Sequence, residues 1–232
     1  KIGFDEKLNL KIDDLISSIN KQVCLIVIAN PNSPTGTIIS EKNIDIIIKK
    51  ANKYGAKVLI DEAYFEFSKY NCIKKISKYK NLVIIRTFSK IYGLAGLRCG
   101  YVVSNYKIIK EYTAIKPMYE INSIAVKAIE TILSNKRIIK SYLNELKISE
   151  KAASDFCKEN KYEFIKCHAN FFHVSFNNNP LKIQNFLEKN MFLIKGGPGT
   201  KEYSEYVRIS LANKNTILKT LNKIKSFLSK KR

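Results

Sequence analysis

Three short apolar runs, each followed at once by polar residues, constrain the fold of this chain more than any other feature. The runs are Val23–Ile28, Lys57–Ile60 and Leu82–Ile85, and helical patterning alternates with them. Ser40 can cap the first of these helices, in which the apolar residues 44, 47, 48 and 51 share one face. Strands that alternate with amphipathic helices predict β-α units around a mostly parallel sheet, in which Val23–Ile28 would be buried on both faces.

The pattern changes near residue 120. Helical periodicity runs from Ser123 to about Asn160, and short strand patterns follow at 170–176, 192–194 and 206–210. A last helix carries an apolar stripe at residues 217, 221, 224 and 228. The predicted fold class is therefore α/β. We expect a three-layer sandwich with a mostly parallel sheet in a large domain over residues 1–120, plus a smaller α+β domain over residues 121–232.

Hydropathy and cysteine spacing exclude several function classes. No apolar run approaches the ~20 residues of a membrane-spanning helix. The 5 cysteines are scattered and form no C-x-x-C pair, which argues against a disulfide framework or a zinc site and favours a reducing cytoplasm. His168 and His173 would point to opposite faces of a predicted strand and make a poor metal pair. We expect no membrane partner, no metal site and a cytoplasmic location.

The net charge of +21 raises the question of a nucleic-acid partner. However, the 41 lysines and arginines are spread along the whole chain and interleaved with isoleucine and asparagine. No recognition helix or aromatic-basic motif accompanies the charge, and a genome whose codons favour Lys, Ile and Asn explains it. We therefore expect a solvated basic surface and no specific nucleic-acid partner.

A polar cluster follows each of the three apolar runs. Asn30–Gly36 follows the first, Asp61–Tyr64 the second and Arg86–Lys90 the third, with Gly93–Arg98 close behind. In an open parallel sheet, ligands bind at the carboxyl ends of the strands, so these clusters should converge at one edge. Each cluster alone has an ordinary explanation as a turn, a solvated cap or a surface cation. Their joint occurrence at successive strand ends predicts a ligand site.

The motifs N-P-N-S-P-T-G-T, D-E-A-Y and R-T-F-S-K-x-x-G-L-A-G-L-R-C-G resemble those of fold-type I, pyridoxal-phosphate-dependent aminotransferases of class I and II. The resemblance is closest to the histidinol-phosphate aminotransferase group. It extends from about Phe4 to the C-terminus and is strongest in the first half of the chain. It implies pyridoxal 5'-phosphate as the cofactor, a small and in some cases phosphorylated amino donor, a 2-oxo acid acceptor, and a homodimer.

The resemblance also implies the catalytic roles. Lys90 would hold the cofactor as a Schiff base and, once displaced by the substrate, would move the proton between the substrate α-carbon and the cofactor. Asp61 would pair with the pyridine nitrogen and keep it protonated. Tyr64 would hydrogen-bond the phenolic oxygen of the cofactor.

Anion-binding roles follow from the same resemblance. Thr87, Ser89 and Arg98 would hold the cofactor phosphate with two hydroxyl groups and a guanidinium. Arg208, in V-R-I-S, matches the small-domain arginine that binds the anionic group of the substrate. Lys195 follows the strand after which histidinol-phosphate aminotransferases tend to carry another substrate-binding arginine. It keeps the positive charge and loses the bidentate fork.

Two further departures from the family concern the cofactor site. The family usually has asparagine immediately before Pro-Thr-Gly, where it contacts the cofactor ring, whereas this chain has Ser33 with Asn32 before it. Either residue is a candidate for that contact. Whole members of the family are also longer. We therefore expect this sequence to lack an N-terminal part with a helix N-terminus for the cofactor phosphate and an aromatic residue that stacks on the ring.

Three alternatives to a transaminase remain open. An amino-acid-phosphate decarboxylase would use the same lysine, aspartate and phosphate-binding residues, and only the orientation of the substrate separates the two reactions. A non-catalytic or regulatory protein could share the fold, although the presence of Lys90 argues against lost chemistry. A basic nucleic-acid-binding protein would bind duplexes tightly and with steep salt dependence.

Overall fold

The computed structural model describes residues 2–5, 9–68, 70–197 and 201–229, and the chain divides into two compact units. We call them unit 1 and unit 2. Unit 1 comprises Lys1–Phe4, Asn9–Asn32 and Thr37–Ile139, and unit 2 comprises Asp5–Leu8, Ser33–Gly36 and Lys140–Arg232. The short segment Ser33–Gly36 therefore belongs to the same unit as the C-terminal part of the chain.

The sheet of unit 1 has four strands in the order β1-β2-β3-β4. Their bounds are β1 Leu25–Ala29, β2 Lys57–Asp61, β3 Leu82–Thr87 and β4 Gly100–Ser104. The first three strands are parallel, and β4 pairs antiparallel with β3. The α/β architecture with a mostly parallel sheet is thus confirmed.

Most helices of unit 1 begin at a residue whose side chain caps them, although the first does not. The helices that lie wholly in this unit are α1 Ile12–Ser18, α2 Glu41–Lys53, α3 Tyr106–Thr113 and α4 Ser123–Ser134. Ser40 caps α2 as predicted, because its Oγ accepts a hydrogen bond from the backbone N–H of Asn43 at 3.3 Å. The buried face of α2 consists of the four residues that the periodicity indicated, Ile44, Ile47, Ile48 and Ala51. These residues share one apolar core with Val58 and Ile60 of β2.

Strand β1 differs from its prediction. Ile26 and Ile28 are buried, but Leu25 is 50% exposed and Val27 is 64% exposed. The prediction that this strand is buried on both faces is therefore wrong for the described part of the chain. The physical reason is the alternation of side chains along the strand, because Ile26 and Ile28 face the unit 1 core that contains α2, whereas Leu25 and Val27 lie on the opposite face, outside that core cluster.

The contact-based boundary between the units also differs from the predicted one at residue 120. Ala125 of α4 is fully buried in an apolar cluster with Phe88 and Cys99, and Ile129 packs against the same cluster. Residues 121–139 consequently group with unit 1. Helical periodicity reveals the apolar face of α4 but not the sheet that covers it.

Unit 2 contains a second four-stranded sheet in the order β5-β6-β8-β7. Its elements are α5 Lys136–Glu159 (which begins in unit 1), β5 Glu163–Ile165, β6 Phe171–Ser175, α6 Pro180–Glu188, β7 Lys195–Gly196, β8 Val207–Ser210 and α7 Lys214–Ser229. All of its strand pairs are antiparallel. Strand β7 begins after the predicted strand 192–194 ends, and it has only two residues. Within the described ranges, no helix is long and apolar enough to cross a membrane.

Candidate functional site

The carboxyl ends of β1, β2 and β3 lie side by side. Ala29 is in register with Asp61, and Asp61 is in register with Ile85. The backbone N–H of Asn30 donates to the carbonyl of Asp61, and that of Glu62 donates to the carbonyl of Ile85, both at 2.9 Å. The polar residues that follow each strand therefore start from one edge of the sheet, as the sequence predicted.

Asp61, Tyr64 and Lys90 all lie in unit 1 at this edge. Asp61 Oδ1 accepts a hydrogen bond from the backbone N–H of Ala63 at 2.9 Å, which shapes the turn after β2. Tyr64, which follows in the chain, is buried. Lys90 is half-buried, and its Nζ lies 5.0 Å from the centre of the Tyr64 ring. The structure thus brings a lysine amine and a phenol together at the strand ends.

Thr87 and Ser89 are joined by the turn that leaves β3. Thr87 Oγ1 accepts the backbone N–H of Ser89 at 3.0 Å and donates to the carbonyl of Cys99 at 3.3 Å. Arg98 is exposed in a left-handed backbone conformation at φ 53°, and its guanidinium donates to the carbonyl of Ala95 at 2.9 Å. Among the described residues, no hydrogen bond joins Arg98 to either hydroxyl group.

The residue types at this edge fit pyridoxal phosphate. An amine suits the cofactor aldehyde, a carboxylate suits the ring nitrogen, and a phenol suits the phenolic oxygen. Two hydroxyl groups and a guanidinium suit a phosphate dianion. The observation that carries the fit is the proximity of the Lys90 amine to Tyr64, on a turn that starts at Asp61.

A buried ion pair lies directly beside Asp61 and Thr87 in the chain, and it was not predicted from the sequence. Glu62 Oε2 accepts hydrogen bonds from Arg86 Nη2 at 2.7 Å and Nε at 2.9 Å, and the two side chains are 0% and 7% exposed. The Arg86 guanidinium also stacks 3.6 Å from the centre of the Phe65 ring. Burial by itself would lower the pKa of Arg86, but its hydrogen bonds to Tyr101 and Glu62 raise it above the ordinary value.

A signal for this pair was present in the sequence. Glu62 follows Asp61 directly and Arg86 precedes Thr87 directly, so opposite charges stand at the ends of two adjacent apolar strands. Parallel register brings such residues together. The ion pair joins the segments that carry Asp61 and Thr87, and so holds two candidate cofactor ligands in fixed relation.

Glu66, near this edge, is half-buried, with its Oε1 shielded from solvent. Desolvation raises its pKa to about 7, against a smaller opposing effect of the Tyr92 hydroxyl. Its Oε1 has no hydrogen-bond partner among the described residues. The carboxyl group is therefore protonated in a substantial fraction of molecules at neutral pH.

The two cations predicted to bind substrate lie opposite each other in unit 2. Lys195 of β7 is in register with Arg208 of β8, so the two side chains share one face of the sheet. The guanidinium of Arg208 lies 5.1 Å from the centre of the Phe171 ring. Within the described ranges, neither cation has a carboxylate partner. Like charges directly across an antiparallel pair destabilise it, which favours a shared anionic ligand.

The two candidates for the cofactor-ring contact fall in different units. Asn32, in unit 1, is half-buried and donates its backbone N–H to the carbonyl of Thr37 at 2.8 Å. Ser33, in unit 2, is exposed. Both therefore stay candidates for the contact.

Comparisons with known proteins give consistent matches. A family model described as aminotransferase class I and II matches residues 4–224. A histidinol-phosphate aminotransferase of Carboxydothermus hydrogenoformans is 32% identical over 98% of this chain, and one of Caldanaerobacter subterraneus is 34% identical over 88%. The crystal structure of the histidinol-phosphate aminotransferase from Clostridium acetobutylicum superimposes on 97% of the chain with a TM-score of 0.87 and 27% identity.

These relatives are longer than the present chain. The chain covers 64% of the Carboxydothermus protein and 57% of the Caldanaerobacter protein. It covers 70% of the chain in the Clostridium structure. The similarity therefore spans nearly all of this sequence but only part of each relative.

Proposed function

The chain belongs to the aminotransferase class I and II family, and we propose that it carries the lysine and phosphate-binding part of a pyridoxal-phosphate-dependent transaminase. The preferred substrate is a small phosphorylated amino compound such as histidinol phosphate, with a 2-oxo acid as the amino acceptor. The observation that supports this most is the set of Asp61, Lys90 and Thr87 at one sheet edge, with Lys90 close to Tyr64.

Pyridoxal phosphate, when bound, supplies an electron sink for the bonds around the substrate α-carbon. In this proposal Lys90 Nζ would hold the cofactor and, once the substrate amine has displaced it, would take up and return the α-proton. An amine takes up a proton only in its neutral form. The ring of Tyr64 covers one side of the amine and limits its motion.

Asp61 holds the proton on the ring nitrogen of the cofactor. Its Oδ1 accepts the Ala63 N–H, which orients the carboxylate, and Oδ2 would be available to the ring nitrogen. The neighbouring Glu62 is neutralised by Arg86, so the negative charge that acts on the cofactor is that of Asp61. The two adjacent carboxylates therefore have different roles, since Asp61 acts on the cofactor and Glu62 pairs with Arg86.

Thr87, Ser89 and Arg98 bind the cofactor phosphate. The Thr87 hydroxyl accepts the Ser89 N–H and donates its proton to the Cys99 carbonyl, so it would turn that proton to the phosphate on binding, and the Ser89 hydroxyl follows two residues later. Arg98 is exposed and makes a hydrogen bond only within its own turn, so its remaining N–H groups are available to an anion. Rotation of this side chain toward the phosphate is part of the proposal.

Arg208 and Lys195 bind the anionic group of the substrate. They stand directly opposite in β8 and β7, and a phosphate between them would neutralise two cations that otherwise repel each other. The adjacent Phe171 ring stacks on one side of Arg208 and restricts its plane.

We also propose that the enzyme is a cytoplasmic homodimer. Four of the 5 cysteines are buried as free thiols, which suits a reducing compartment. Gel filtration of the full-length protein with light scattering tests the dimer. A monomer at micromolar concentration that still transfers amino groups would contradict that part of the proposal.

The lysine assignment is tested on full-length protein incubated with pyridoxal phosphate and then with borohydride. Reduction fixes the cofactor to the lysine that holds it, and peptide mapping identifies that residue. We expect the label on Lys90, loss of labelling in Lys90→Ala, and normal labelling in the exposed control Lys110→Ala. Labelling of another lysine in the wild-type protein would contradict the assignment.

The reaction is tested by transfer of a ¹⁵N-labelled amino group from histidinol phosphate to 2-oxoglutarate. We expect transfer in the wild-type protein and a fall of about 10²- to 10⁴-fold in Lys90→Ala, the range for removal of a positioned proton-transfer group. Release of carbon dioxide from an amino-acid phosphate without amino transfer would favour the decarboxylase instead.

A further inference from the structure

The segment Ser33–Gly36 is held by three consecutive backbone carbonyls, all within unit 2. The Pro34 carbonyl lies 3.0 Å from His173 Nε2, and the Thr35 carbonyl accepts the Tyr203 hydroxyl at 3.3 Å. The Gly36 carbonyl accepts the backbone N–H of His168 at 2.8 Å. Each bond comes from a different part of unit 2, so the segment cannot shift along any one of them without breaking the others.

Close packing adds to these hydrogen bonds. Gly36 has φ +74°, and a Cβ built at this position would lie 2.4 Å from both Cβ and Sγ of Cys167. The Cys167 thiol in turn lies 3.6 Å from the Thr35 carbonyl. The segment therefore fits against Cys167 with no room for a side chain at residue 36.

His173 is the unusual member of this arrangement. It is 0% exposed in β6, where its neighbours Phe172 and Val174 are apolar and equally buried. A buried polar side chain in such a strand costs free energy unless it is hydrogen-bonded. A carbonyl only accepts, so the Pro34 contact requires the proton on Nε2, and Nδ1 has no partner among the described residues.

The surroundings keep this imidazole neutral. Burial lowers the pKa of His173 to about 4, and the positive charge of Arg208 acts in the same direction. The other titratable groups that face the ring are the hydroxyls of Tyr203 and Tyr206, whose ring centres lie 4.6 and 6.4 Å from it, and the Cys167 thiol. The ring is thus a fixed, uncharged donor.

His173 is also placed beside the candidate substrate site. It is in register with Arg208, and Arg208 is in register with Lys195, so the three residues form one row across β6, β8 and β7. Residues directly opposite on neighbouring strands share a face of the sheet. The same row therefore binds the Pro34 carbonyl at one end and carries two cations at the other.

We propose that His173 is a positioning residue, which through its Nε2–H fixes the segment Ser33–Gly36 in relation to Arg208 and Lys195. The inference rests on the proposed function, in which Asn32 or Ser33 contacts the cofactor ring and Arg208 binds the substrate. A fixed segment holds Ser33, and the chain next to Asn32, in place before binding, which lowers the conformational entropy lost when either residue contacts the ring. His173 itself touches neither the cofactor nor the substrate in this proposal.

The test compares His173→Met with His173→Gln in the full-length protein. Methionine fills the space without a donor, whereas the glutamine amide can donate to the Pro34 carbonyl in place of Nε2. The reporter is hydrogen exchange at the His168 amide, which is bonded to Gly36, with the Leu211 amide of the same sheet as an internal control. We expect about tenfold faster exchange at His168 in the methionine variant, less than twofold at Leu211, and near wild-type rates in the glutamine variant.

Two exchange results would overturn the inference. Equal exchange rates in the methionine and glutamine variants would mean that the hydrogen bond does not hold the segment. Equal acceleration at His168 and Leu211 would mean that His173 contributes only to general stability. If the methionine variant does not fold, ¹⁵N NMR of the wild-type imidazole decides, since a proton on Nδ1 rather than Nε2 would also overturn it.

Measurements of cofactor binding distinguish a failure of this inference from a failure of the proposed function. The dissociation constant for pyridoxal phosphate should rise about fivefold or more in His173→Met and recover in His173→Gln. It should stay unchanged in His168→Gln, which replaces the exposed histidine. Absence of Lys90 labelling in the wild-type protein would refute the proposed function. Normal labelling with an unchanged dissociation constant in His173→Met would refute the inference alone.

Discussion

One charged pair in each unit of this protein shows an opposite arrangement of charge. In unit 1, Glu62 and Arg86 are buried together and neutralise each other at 2.7 Å. In unit 2, Lys195 and Arg208 stand opposite with the same sign of charge and without a carboxylate partner among the described residues. The charges of Glu62 and Arg86 neutralise each other, whereas those of Lys195 and Arg208 add up to two positive charges on one face of the sheet. The comparison indicates that unit 1 provides a preformed framework and that unit 2 provides the charge a ligand would satisfy.

The largest expected effect is on the unit 1 pair. Glu62→Gln leaves the Arg86 guanidinium buried without its counter-charge, and we expect a loss of about 3–5 kcal/mol in the free energy of unfolding. Urea denaturation of the full-length protein measures it. The exposed ion pair of Lys57 and Glu111 provides the control, because Glu111→Gln should cost less than about 1 kcal/mol. A cost for Glu62→Gln no greater than that of the control would break the comparison.

The next effect concerns Arg208 and appears in binding rather than in stability. Arg208→Met removes a charged hydrogen-bond donor, so KM for the phosphorylated donor should rise about tenfold to hundredfold. The free energy of unfolding should not fall, because a repulsion across β7 and β8 is also removed. Steady-state kinetics and urea denaturation check both parts, with Arg137→Met on α5 as the exposed control. An unchanged KM in Arg208→Met would show that Arg208 does not bind the substrate.

A third effect concerns Glu66 of unit 1 and the dependence of the free energy of unfolding on pH. Burial raises the pKa of Glu66 from 4.5 to about 7, so between these values the folded state binds more protons than the unfolded state. Stability therefore falls as pH rises through this window, and Glu66→Gln should remove the fall. At pH 8 the variant should be more stable by about 1–2 kcal/mol, allowing for partial solvent screening. At pH 4 the two proteins should be alike.

Thermal unfolding at pH 4, 6 and 8 measures this difference. Glu188→Gln, on the exposed face of α6, is the matched control and should follow the wild-type profile. A Glu66→Gln variant that tracks the wild-type protein at every pH would show that this carboxyl group is well solvated.

The smallest expected effect is that of Lys195. Lys195→Met should raise stability by about 0.2–1 kcal/mol, since it removes the like charge opposite Arg208. KM for a phosphorylated donor should rise only a few-fold, because an exposed ammonium binds phosphate as a point charge without the bidentate fork of arginine. Lys182→Met on α6 is the control. Lower stability in Lys195→Met would mean that the lysine has a structural role.

Much of the framework of unit 1 was predictable because it depends on local patterns. The apolar spacing of α2 and its Ser40 cap specify the helix and its buried face. Apolar runs with polar clusters after them specify parallel strands whose ends carry Asp61 and Thr87. The exposure of Val27 was not predictable in this way, because the sequence of an apolar strand does not state which of its two faces other elements cover.

The residues that sequence reasoning missed are those whose partners lie far along the chain. Glu62 meets Arg86 across 24 residues, and His173 meets Pro34 across 139 residues. Both His173 and Glu62 are fully buried. From the sequence alone, His173 was considered only as one of a poor metal pair with His168, and Glu62 was assigned no role. A buried polar residue inside an apolar run signals that a partner must exist, but it does not identify that partner.

The sequence by itself determined the strands, the capped helix and the identity of the residues at the strand ends, because periodicity and turn chemistry act over a few neighbouring positions. Tertiary structure alone decided which charges are neutralised and which are not. Strand register places Arg86 against Glu62 but Lys195 against Arg208, and the packing of the segment Ser33–Gly36 within unit 2 places the Pro34 carbonyl against His173. Register and burial set the dielectric environment and the partner of each charged or polar group, and these two quantities determine what each group can do.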